Sequence, residues 1–279
     1  VIRGDDHLTN AFRHVMLFKA LGYELPQFAH TPLVHDEKGQ KYSKRLQGAN
    51  VLDWRRDGFL PETLVNYLAL LGWTPADGRE VLTRDEMVQA FGMDRVGASP
   101  SRFDFKKVQW LNGQHIRMLT PESLRDRVLP LLKQAGFDVA SKSPEWLTQM
   151  AAICQEKIKT LNEIIEYTDF FFKDVTEYEE KATRKQWQTE GALERIMLIR
   201  ETLAEVSDWT HDTLKAAYEA LVEKTGAGLG SFVHPTRLAL TGKSIGPGLF
   251  ELTELLGKEL SMARIDRAVE FVKTLQNSE

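Results

Sequence analysis

Val1-Ile-Arg-Gly-Asp-Asp-His-Leu8 is the stretch that decides the fold of the amino-terminal part of the chain. Val1–Arg3 is typical of the end of a buried strand, and the glycine and aspartates after it predict a turn that caps a helix. Apolar side chains recur at helical spacing over Leu8–Leu21, and Gly22 supplies the stop. A second strand is predicted over residues 28–34, which makes a strand–helix–strand unit of an α/β layer.

Helix signals dominate the rest of the chain. Prolines in first turns, Ser or Thr caps and closing glycines bound several amphipathic stretches. Helices are predicted from Pro61 to Gly72, after Thr83 with a capping box to Glu86, from Thr120-Pro121 to about Ala135, and from Ser143-Pro144 to about Glu166. No strand is predicted beyond residue 110, so the fold is expected to be mostly α.

Composition excludes several classes of protein. The chain has 279 residues, of which 42% are hydrophobic and 27% are charged, an amino-acid composition typical of globular proteins. A chain of this length is expected to form roughly two domains. A net charge of -4 excludes a generic polyanion binder, so any nucleic-acid contact must use local basic patches. The single cysteine, Cys154, excludes a disulfide framework and is predicted to be a buried thiol. No apolar run is long enough for a membrane span and no signal peptide is recognised, which predicts a cytoplasmic protein.

A basic loop carries the first chemical signal. Lys41-Tyr-Ser-Lys-Arg45 places three cations and a hydroxyl within five residues, with Gly39 and Gly48 nearby. Such a loop can grip a polyphosphate, because lysine offers a mobile point charge with three donors. A solvated basic turn is the alternative, and composition alone favours it because short basic loops are common.

Several motifs together resemble one family. The pattern Lys-x-Ser-Lys-Arg resembles the second nucleotide-binding signature of class I aminoacyl-tRNA synthetases, and the opening octapeptide resembles the Val-Ile-Arg-x-Glu-Asp-His-Leu segment of glutamyl-tRNA synthetases. Asp5 departs from the usual glutamate of that segment. Further similar segments are Pro61–Trp73, His234–Gly242 and Pro247–Arg264. The resemblance covers essentially the whole chain and outweighs the solvated-turn interpretation.

The resemblance implies a division into two regions. Residues 1–112 are expected to be the carboxy-terminal part of a Rossmann-type catalytic domain with a region that contacts the tRNA stem. Residues 113–279 are expected to be an all-helical anticodon-binding region, with a subdivision near residue 175. An α/β remnant followed by an all-α region is therefore the predicted architecture.

The resemblance also assigns a substrate contact to Arg3. In the family, the corresponding arginine pairs with the side-chain carboxylate of glutamate. A bidentate guanidinium fork suits a carboxylate better than an amide, which offers one acceptor, and so selects glutamate over glutamine. The alternative for Arg3 is a structural ion pair with Asp5 or Asp6.

ATP contacts follow from the same resemblance. Asp6 and His7 inherit positions near ATP, although Asp6 alone predicts a helix cap and His7 alone predicts a surface residue. Lys41 and Lys44 inherit contacts to the ATP phosphates and are the expected catalytic residues. Ser43 is expected to support the loop or to donate to a phosphate.

The implied reaction is the ligation of glutamate to tRNA(Glu) in two steps through a glutamyl-adenylate. ATP enters with Mg²⁺ as a substrate, no protein-bound metal is expected, and the protein is expected to be a monomer. No protein nucleophile is needed, so catalysis rests on positioning and charge stabilisation. Arg237, Lys243 and Arg264 are candidate contacts for the anticodon arm.

One class I element is missing from the sequence. None of the seven histidines lies three residues from another, so His-x-Gly-His is absent. The chain is therefore interpreted as the carboxy-terminal portion of a longer synthetase, inactive alone but able to bind tRNA weakly. The alternatives are a helical RNA-binding or interaction module with a vestigial nucleotide loop, and a glutaminyl-tRNA synthetase. A glutaminyl enzyme is disfavoured because its carboxy-terminal half is normally a β-barrel, and a tRNA-modifying glutamyl transferase is disfavoured because it lacks an anticodon region.

Overall fold

The structure, a computed structural model, describes residues 1–36, 38–42 and 50–276. It divides into two compact units. The first unit comprises Val1–Met118 and Lys159–Leu161, and the second comprises Leu119–Ile158 and Asn162–Glu279.

A strand–helix–strand unit opens the first unit, as predicted. Strand β1 (Ile2–Gly4) leads through a 3-10 turn into helix α1 (Leu8–Ala20), and β2 (Ala29–Thr31) pairs with β1 in parallel. The prediction that the first strand is buried is wrong, because Val1 and Ile2 are 52% and 66% exposed. In the described residues this sheet has only two strands, so the apolar side chains of β1 lack a covering layer.

The predicted strand over 28–34 is two strands. After β2, Pro32 interrupts the pairing, and β3 (Val34–His35) joins a different sheet, parallel to β4 (Ser101–Arg102). Proline has no N–H to donate to a ladder, which accounts for the break. The two-residue strand β4 was not predicted, because so short a segment carries no periodicity.

Four further α-helices belong to the described residues of the first unit. They are α2 (Val51–Arg56), α3 (Pro61–Gly72), α4 (Arg84–Ala90) and α5 (Phe105–Arg117). The helix start at Pro61 and the capping box at Thr83 are confirmed. Glu86 N–H donates to Thr83 Oγ1 at 3.2 Å, and Thr83 N–H donates to Glu86 Oε2 at 2.8 Å.

Aromatic and aliphatic side chains of α2, α3 and α5 form the core of the first unit. Trp54, Phe59, Tyr67, Val108 and Leu111 make one buried cluster. The rings of Trp54 and Phe59 meet edge-to-face, with centroids 4.7 Å apart. This cluster holds α3 against α5, which begins shortly after β4.

A buried asparagine on α5 ties three segments together. Oδ1 of Asn112 accepts from Leu60 N–H at 2.9 Å and from Thr63 Oγ1 at 2.8 Å, while its Nδ2 donates to Lys159 O at 2.6 Å. The predicted boundary after residue 112 therefore falls inside a helix whose buried side is part of the first unit, and the units divide later, after Met118.

The second unit is helical throughout its described residues, as predicted. Its helices are α6 (Pro121–Gln134), α7 (Pro144–Gln155), α8 (Ile164–Phe172), α9 (Glu180–Gln186), α10 (Ala192–Glu205), α11 (His211–Thr225), α12 (Gly230–Thr241), α13 (Leu249–Leu256) and α14 (Lys258–Gln276). Cys154 is fully buried on α7, and burial raises the pKa of its thiol. Each helix within the described ranges is too short or too polar to span a lipid bilayer.

The single helix predicted from Pro144 to Glu166 is wrong. The α-helix ends at Gln155, a 3-10 turn follows at Leu161–Glu163, and α-helical geometry resumes at Ile164. Between these points, Leu161 N–H donates to Gly58 O at 2.8 Å, and Lys159 O accepts from Asn112. These bonds hold Lys159–Leu161 in the first unit, and a continuous helix could not make them.

Candidate functional site

Arg3 lies on β1, opposite His30 of β2 in the strand register, and is partly buried. Its Nη1 donates to Nδ1 of His14 on α1 at 3.0 Å, since a guanidinium can only donate. No ion pair joins Arg3 to Asp5 or Asp6 in the described part of the chain, so the structural ion pair considered above is not formed. The guanidinium keeps further N–H groups for an incoming carboxylate.

Two of the predicted ATP residues contact each other. Nζ of Lys41 lies 2.7 Å from Oδ2 of Asp6. The hydrogen bond from Lys41 lowers the pKa of the Asp6 carboxyl. Asp6 is therefore not a helix cap: neither the 3-10 turn nor α1 has a side-chain cap, and its carboxylate is turned towards the loop instead.

Gly4 permits this arrangement. A Cβ at Gly4 would lie 2.7 Å from Oδ1 of Asp6, closer than a real Cβ contact. The carboxylate folds back over the end of β1, and a larger residue at position 4 would displace it. The glycine of the opening octapeptide thus has a local role in positioning Asp6.

His7 ends the 3-10 turn and precedes α1, with its side chain exposed. Its Nδ1 is 3.4 Å from Nδ2 of Asn10, one turn along the helix. This weak contact leaves the imidazole accessible to solvent, which agrees with a surface position and leaves it free to face a ligand.

The segment before Lys41 is a tight turn built on Asp36. Its Oδ1 accepts from Lys38 N–H at 2.9 Å and from Gln40 N–H at 2.8 Å, and Gly39 adopts a φ of 78°. A left-handed φ of this kind favours glycine. Asp36 was not predicted, although an aspartate shortly before a turn glycine is a sequence signal for such a side-chain turn.

On the other side of Lys41, Tyr42 anchors the chain. Its N–H donates to Val34 O at 2.9 Å, and its ring packs on Phe103 with centroids 4.8 Å apart. Lys41 is therefore held between an anchored tyrosine and a closed turn. The predicted residues Ser43 and Lys44 lie outside the described residues.

The predicted residues Arg3, Asp6 and Lys41 come from three separate segments of the first unit. Arg3 belongs to β1, Asp6 to the turn at its carboxyl end, and Lys41 to the turn that follows β3. The carboxyl ends of parallel strands are where open α/β sheets bind ligands. The arrangement can present a guanidinium to a carboxylate and an ammonium to phosphate, once the contact with Asp6 is exchanged.

In the second unit, the structure changes the prediction for Arg264. Its side chain is 2% exposed, and its guanidinium donates to Leu240 O at 2.6 Å and to Phe170 O at 2.7 Å. Burial lowers its pKa. Arg264 is thus a core residue that satisfies buried carbonyls and is not available to RNA.

Arg237 and Lys243 are already engaged as well. Arg237 donates to the carbonyl of Pro247, and its partial burial lowers its pKa. Nζ of Lys243 lies 2.7 Å from Oδ2 of Asp169 and 2.9 Å from Glu166 O. Both cations hold neighbouring segments in place, and an RNA phosphate would have to compete with these contacts.

The described residues contain no group of three or more His, Cys, Asp or Glu side chains placed to hold a metal ion. The groups at the first unit's candidate site are instead a guanidinium, a carboxylate and an ammonium. Such a set suits anionic organic groups.

Two family models match this chain. Residues 1–110 match the family model of the class I tRNA synthetases (E and Q), catalytic domain, and residues 123–269 match the anticodon binding domain. The two matches fall on the two compact units.

Relatives and solved structures extend the comparison. The chain is 37% identical to glutamate–tRNA ligase 1 of Caldanaerobacter subterraneus subsp. tengcongensis over 273 residues, which is 98% of this chain and 57% of that protein. It is 37% identical to glutamate–tRNA ligase of Moorella thermoacetica, over 98% of this chain and 56% of that protein. A crystal structure of a glutamate tRNA ligase from Elizabethkingia meningosepticum, in complex with its amino acid, superposes with a TM-score of 0.82 at 30% identity, covering 97% of this chain and 56% of that one.

The chain thus spans a little over half the length of the relatives it matches. Its two units follow the order of the two matched regions. On this combination of motif, fold and similarity, the chain belongs to the family of class I tRNA synthetases (E and Q), with a catalytic-domain region followed by an anticodon binding domain.

Proposed function

We propose that this chain is part of an enzyme that ligates glutamate to tRNA(Glu), through a glutamyl-adenylate made from ATP. The Asp6–Lys41 contact carries the proposal, since it brings Lys41 of the basic signature to the turn at the carboxyl end of β1, the strand that contains Arg3. Relatives named as glutamate–tRNA ligases support the choice of amino acid.

Arg3 is proposed to hold the side-chain carboxylate of glutamate. Its present partner is a ring nitrogen of His14, which a carboxylate outcompetes because it adds an opposite charge and a second acceptor oxygen for the guanidinium fork. Glutamine would offer one oxygen to the same fork, so the discrimination rests on the second N–H···O bond.

Lys41, Lys44 and Ser43 are proposed to contact the phosphates of ATP, with Asp6 and His7 beside the nucleotide. ATP enters with Mg²⁺, which the substrate brings. Lys41 and Lys44 would stabilise the charge that develops as pyrophosphate leaves. In this scheme the ATP phosphates replace Asp6 as the partner of Lys41.

The helical unit is proposed to bind the anticodon arm of tRNA. Single-stranded loops are read by side chains that stack on splayed bases and bond to base edges, with backbone phosphates supplying salt-dependent affinity. A cytoplasmic location and a monomeric state complete the proposal.

The test compares the 279-residue chain with a fusion. The chain alone should bind a tRNA(Glu) transcript weakly and show no glutamate-dependent ATP–pyrophosphate exchange, because it contains no His-x-Gly-His. Fusion to the part of the Moorella thermoacetica ligase that precedes the matched region should restore exchange. Arg3→Gln and Lys44→Gln should then abolish it, while Lys215→Gln, an exposed lysine of α11, should leave it unchanged.

Either of two results would contradict the proposal. One is exchange by the 279-residue chain alone. The other is a folded fusion, verified by its circular dichroism melt, whose exchange does not depend on Arg3 or Lys44. Retained tRNA binding in the second case would support the binding-module alternative.

The described residues of the second unit contain no β-strand, which argues against a glutaminyl-tRNA synthetase with a β-barrel half. The same fusion separates the two enzymes, because exchange should depend on glutamate and not on glutamine.

A further inference from the structure

A small basic pocket lies between α9 and α12 in the second unit. Lys181 and Lys185 are one helical turn apart on α9, so they share a face of that helix. His234 and Leu238 have the same spacing on α12. The pocket has a volume of about 280 Å³, near the lower limit for ligand sites, and so suits a small charged group.

The pocket has an apolar floor and a cationic rim. Ala182 and Leu238 are buried beneath it, whereas Lys181, Lys185 and His234 are exposed. The rim can therefore contact a ligand that approaches from solvent, and the packed floor keeps the two helices at a fixed separation.

Neither rim lysine forms an ion pair with any residue that the structure describes. Across the described part of the chain, no ion pair or hydrogen bond uses the ammonium of Lys181 or Lys185, although Arg184 on the same helix pairs with Glu180. Neither imidazole nitrogen of His234 has a hydrogen-bond partner among the described residues. These donors are free for an external acceptor.

One carboxylate, that of Glu179, also lines the pocket, and two hydrogen bonds from Ser244 hold it in position. Oε2 of Glu179 accepts from Ser244 N–H at 2.9 Å and from Ser244 Oγ at 2.5 Å. These bonds, and to a smaller extent the charge of Lys181, lower the pKa of Glu179. The carboxylate is thus turned to the 244 loop, and the pocket as a whole remains net positive.

A neighbouring cavity provides a contrast. It has a volume of about 370 Å³ and is lined by Asp169, Asp174, Glu177 and Glu179. Two lysines also line it: Lys243 is already paired with Asp169, and Lys173 lies over the ring of Phe137, so the four carboxylates outnumber the cations. That cavity repels anions, so the pocket between α9 and α12 is the better anion site of the two.

We propose that the Lys181–Lys185–His234 pocket binds a backbone phosphate of RNA. This inference rests on the proposed function, because the unit matches an anticodon binding domain and RNA is the polyanion that it would meet. Phosphate contacts position an RNA without reading its bases. The pocket thus sets the position of the bound strand and does not select its sequence.

Salt dependence gives the sharpest test. A tRNA(Glu) transcript is titrated with the 279-residue chain at several salt concentrations, and the parent is compared with the double variant Lys181→Gln/Lys185→Gln. The slope of log Kobs against log salt should fall in magnitude by about 0.7–0.9 for each phosphate that the variant no longer neutralises. Because phosphate contacts carry no sequence information, the decrease should be the same for a transcript with an altered anticodon.

The matched control is Lys215→Gln/Lys224→Gln, which removes the same charge from exposed positions of α11. Its slope should equal that of the parent. An equal fall in slope in the control, or an unchanged slope in the test variant, would overturn the phosphate site while leaving tRNA binding by the unit intact. If the parent does not bind the transcript at all, tRNA binding by this unit and the phosphate site fall together.

Inorganic phosphate distinguishes a free anion from an RNA backbone. We expect the ring resonances of His234 to shift on addition of the transcript, and these shifts to be absent in the double variant. Shifts caused by inorganic phosphate alone, with none caused by the transcript, would overturn the assignment to RNA.

Discussion

Nε2 of His115 lies 2.9 Å from Oδ1 of Asn66 in the interior of the first unit. The same oxygen accepts from Leu82 N–H at 3.0 Å, so this asparagine joins α3 to α5 and to the segment before α4. Because the oxygen can only accept, Nε2 must carry a proton, and the neutral imidazole fits the site. Burial lowers the pKa of His115, against a smaller opposing effect from Glu62.

This burial predicts a loss of stability in acid. Above pH 6.5 the imidazole is neutral in both states. Below it, the unfolded chain takes up the proton first, so the free energy of unfolding falls as pH drops towards the lowered pKa of the folded state. One group contributes at most about 1.4 kcal/mol per pH unit. Urea unfolding of the parent and of His115→Gln between pH 7.5 and 5 measures this dependence.

In that experiment the parent should lose more stability than His115→Gln between the two pH values. His7→Gln, which removes an exposed histidine, should behave like the parent. Parallel pH profiles for the parent and His115→Gln would show that His115 does not contribute.

Asn112→Ala should destabilise the first unit strongly. The change leaves Leu60 N–H and the Thr63 hydroxyl without an acceptor inside the protein. We expect a loss of about 3 kcal/mol in the free energy of unfolding, because each buried unsatisfied group costs about 1–3 kcal/mol. Gln89→Ala, on the exposed side of α4, is the control and should change it by less than about 0.5 kcal/mol. Equal effects of the two variants would refute the role of the buried amide.

Thr83→Ala should cost about 1 kcal/mol, because it removes the acceptor for the Glu86 N–H at the start of α4. Thr83→Ser keeps the hydroxyl and should restore most of the loss. Hydrogen bonds from Thr83, together with one from Arg79, hold the pKa of Glu86 at about 2, so the box should persist in mild acid. Thermal melts of the three proteins compare these effects; a serine variant as unstable as the alanine variant would contradict the capping role.

Asp6→Asn should expose Lys41 to amine-modifying reagents. Without the carboxylate the ammonium loses its ion pair, and we expect faster modification of Lys41 in peptide mass spectra. Gly4→Ala should have the same effect, since its Cβ would displace the Asp6 carboxylate. Asp5→Asn removes an equal charge from the neighbouring residue and should leave the rate unchanged. No difference between Asp6→Asn and Asp5→Asn would show that the contact does not protect Lys41.

The helix starts that the sequence predicted correctly are set by capping residues close to them in the chain. The caps at Thr83, Thr120 and Ser143 act within one helical turn, so a short window of sequence contains all their partners. The helix predicted through residues 156–163 failed for the opposite reason. Its interruption depends on Gly58 and Asn112, which lie far away in sequence.

The candidate site shows the same difference between local sequence signals and long-range contacts. The resemblance named Arg3 and Lys41 as candidates, but their partners in the structure could not be read from the motifs. Asp6 was expected near ATP, with a helix cap as the alternative, yet its partner in the structure lies 35 residues away. His14 as the acceptor for Arg3 requires knowledge of how α1 packs on β1. The burial of Arg264 could not be predicted from the sequence either, because an arginine in a helix is usually a surface residue.

Because Lys159–Leu161 belongs to the first unit, the two units cannot be separated by a single cut in the chain. A polypeptide that ends at Met118 lacks Lys159, whose carbonyl accepts from the Asn112 amide. A polypeptide that begins at Leu119 contains Lys159–Leu161 but lacks Gly58, whose carbonyl accepts from Leu161 N–H. We therefore expect each half to be less stable alone than in the intact chain. A circularly permuted or linker-bridged design that returns the tripeptide to its place is the sound route to studying each half separately.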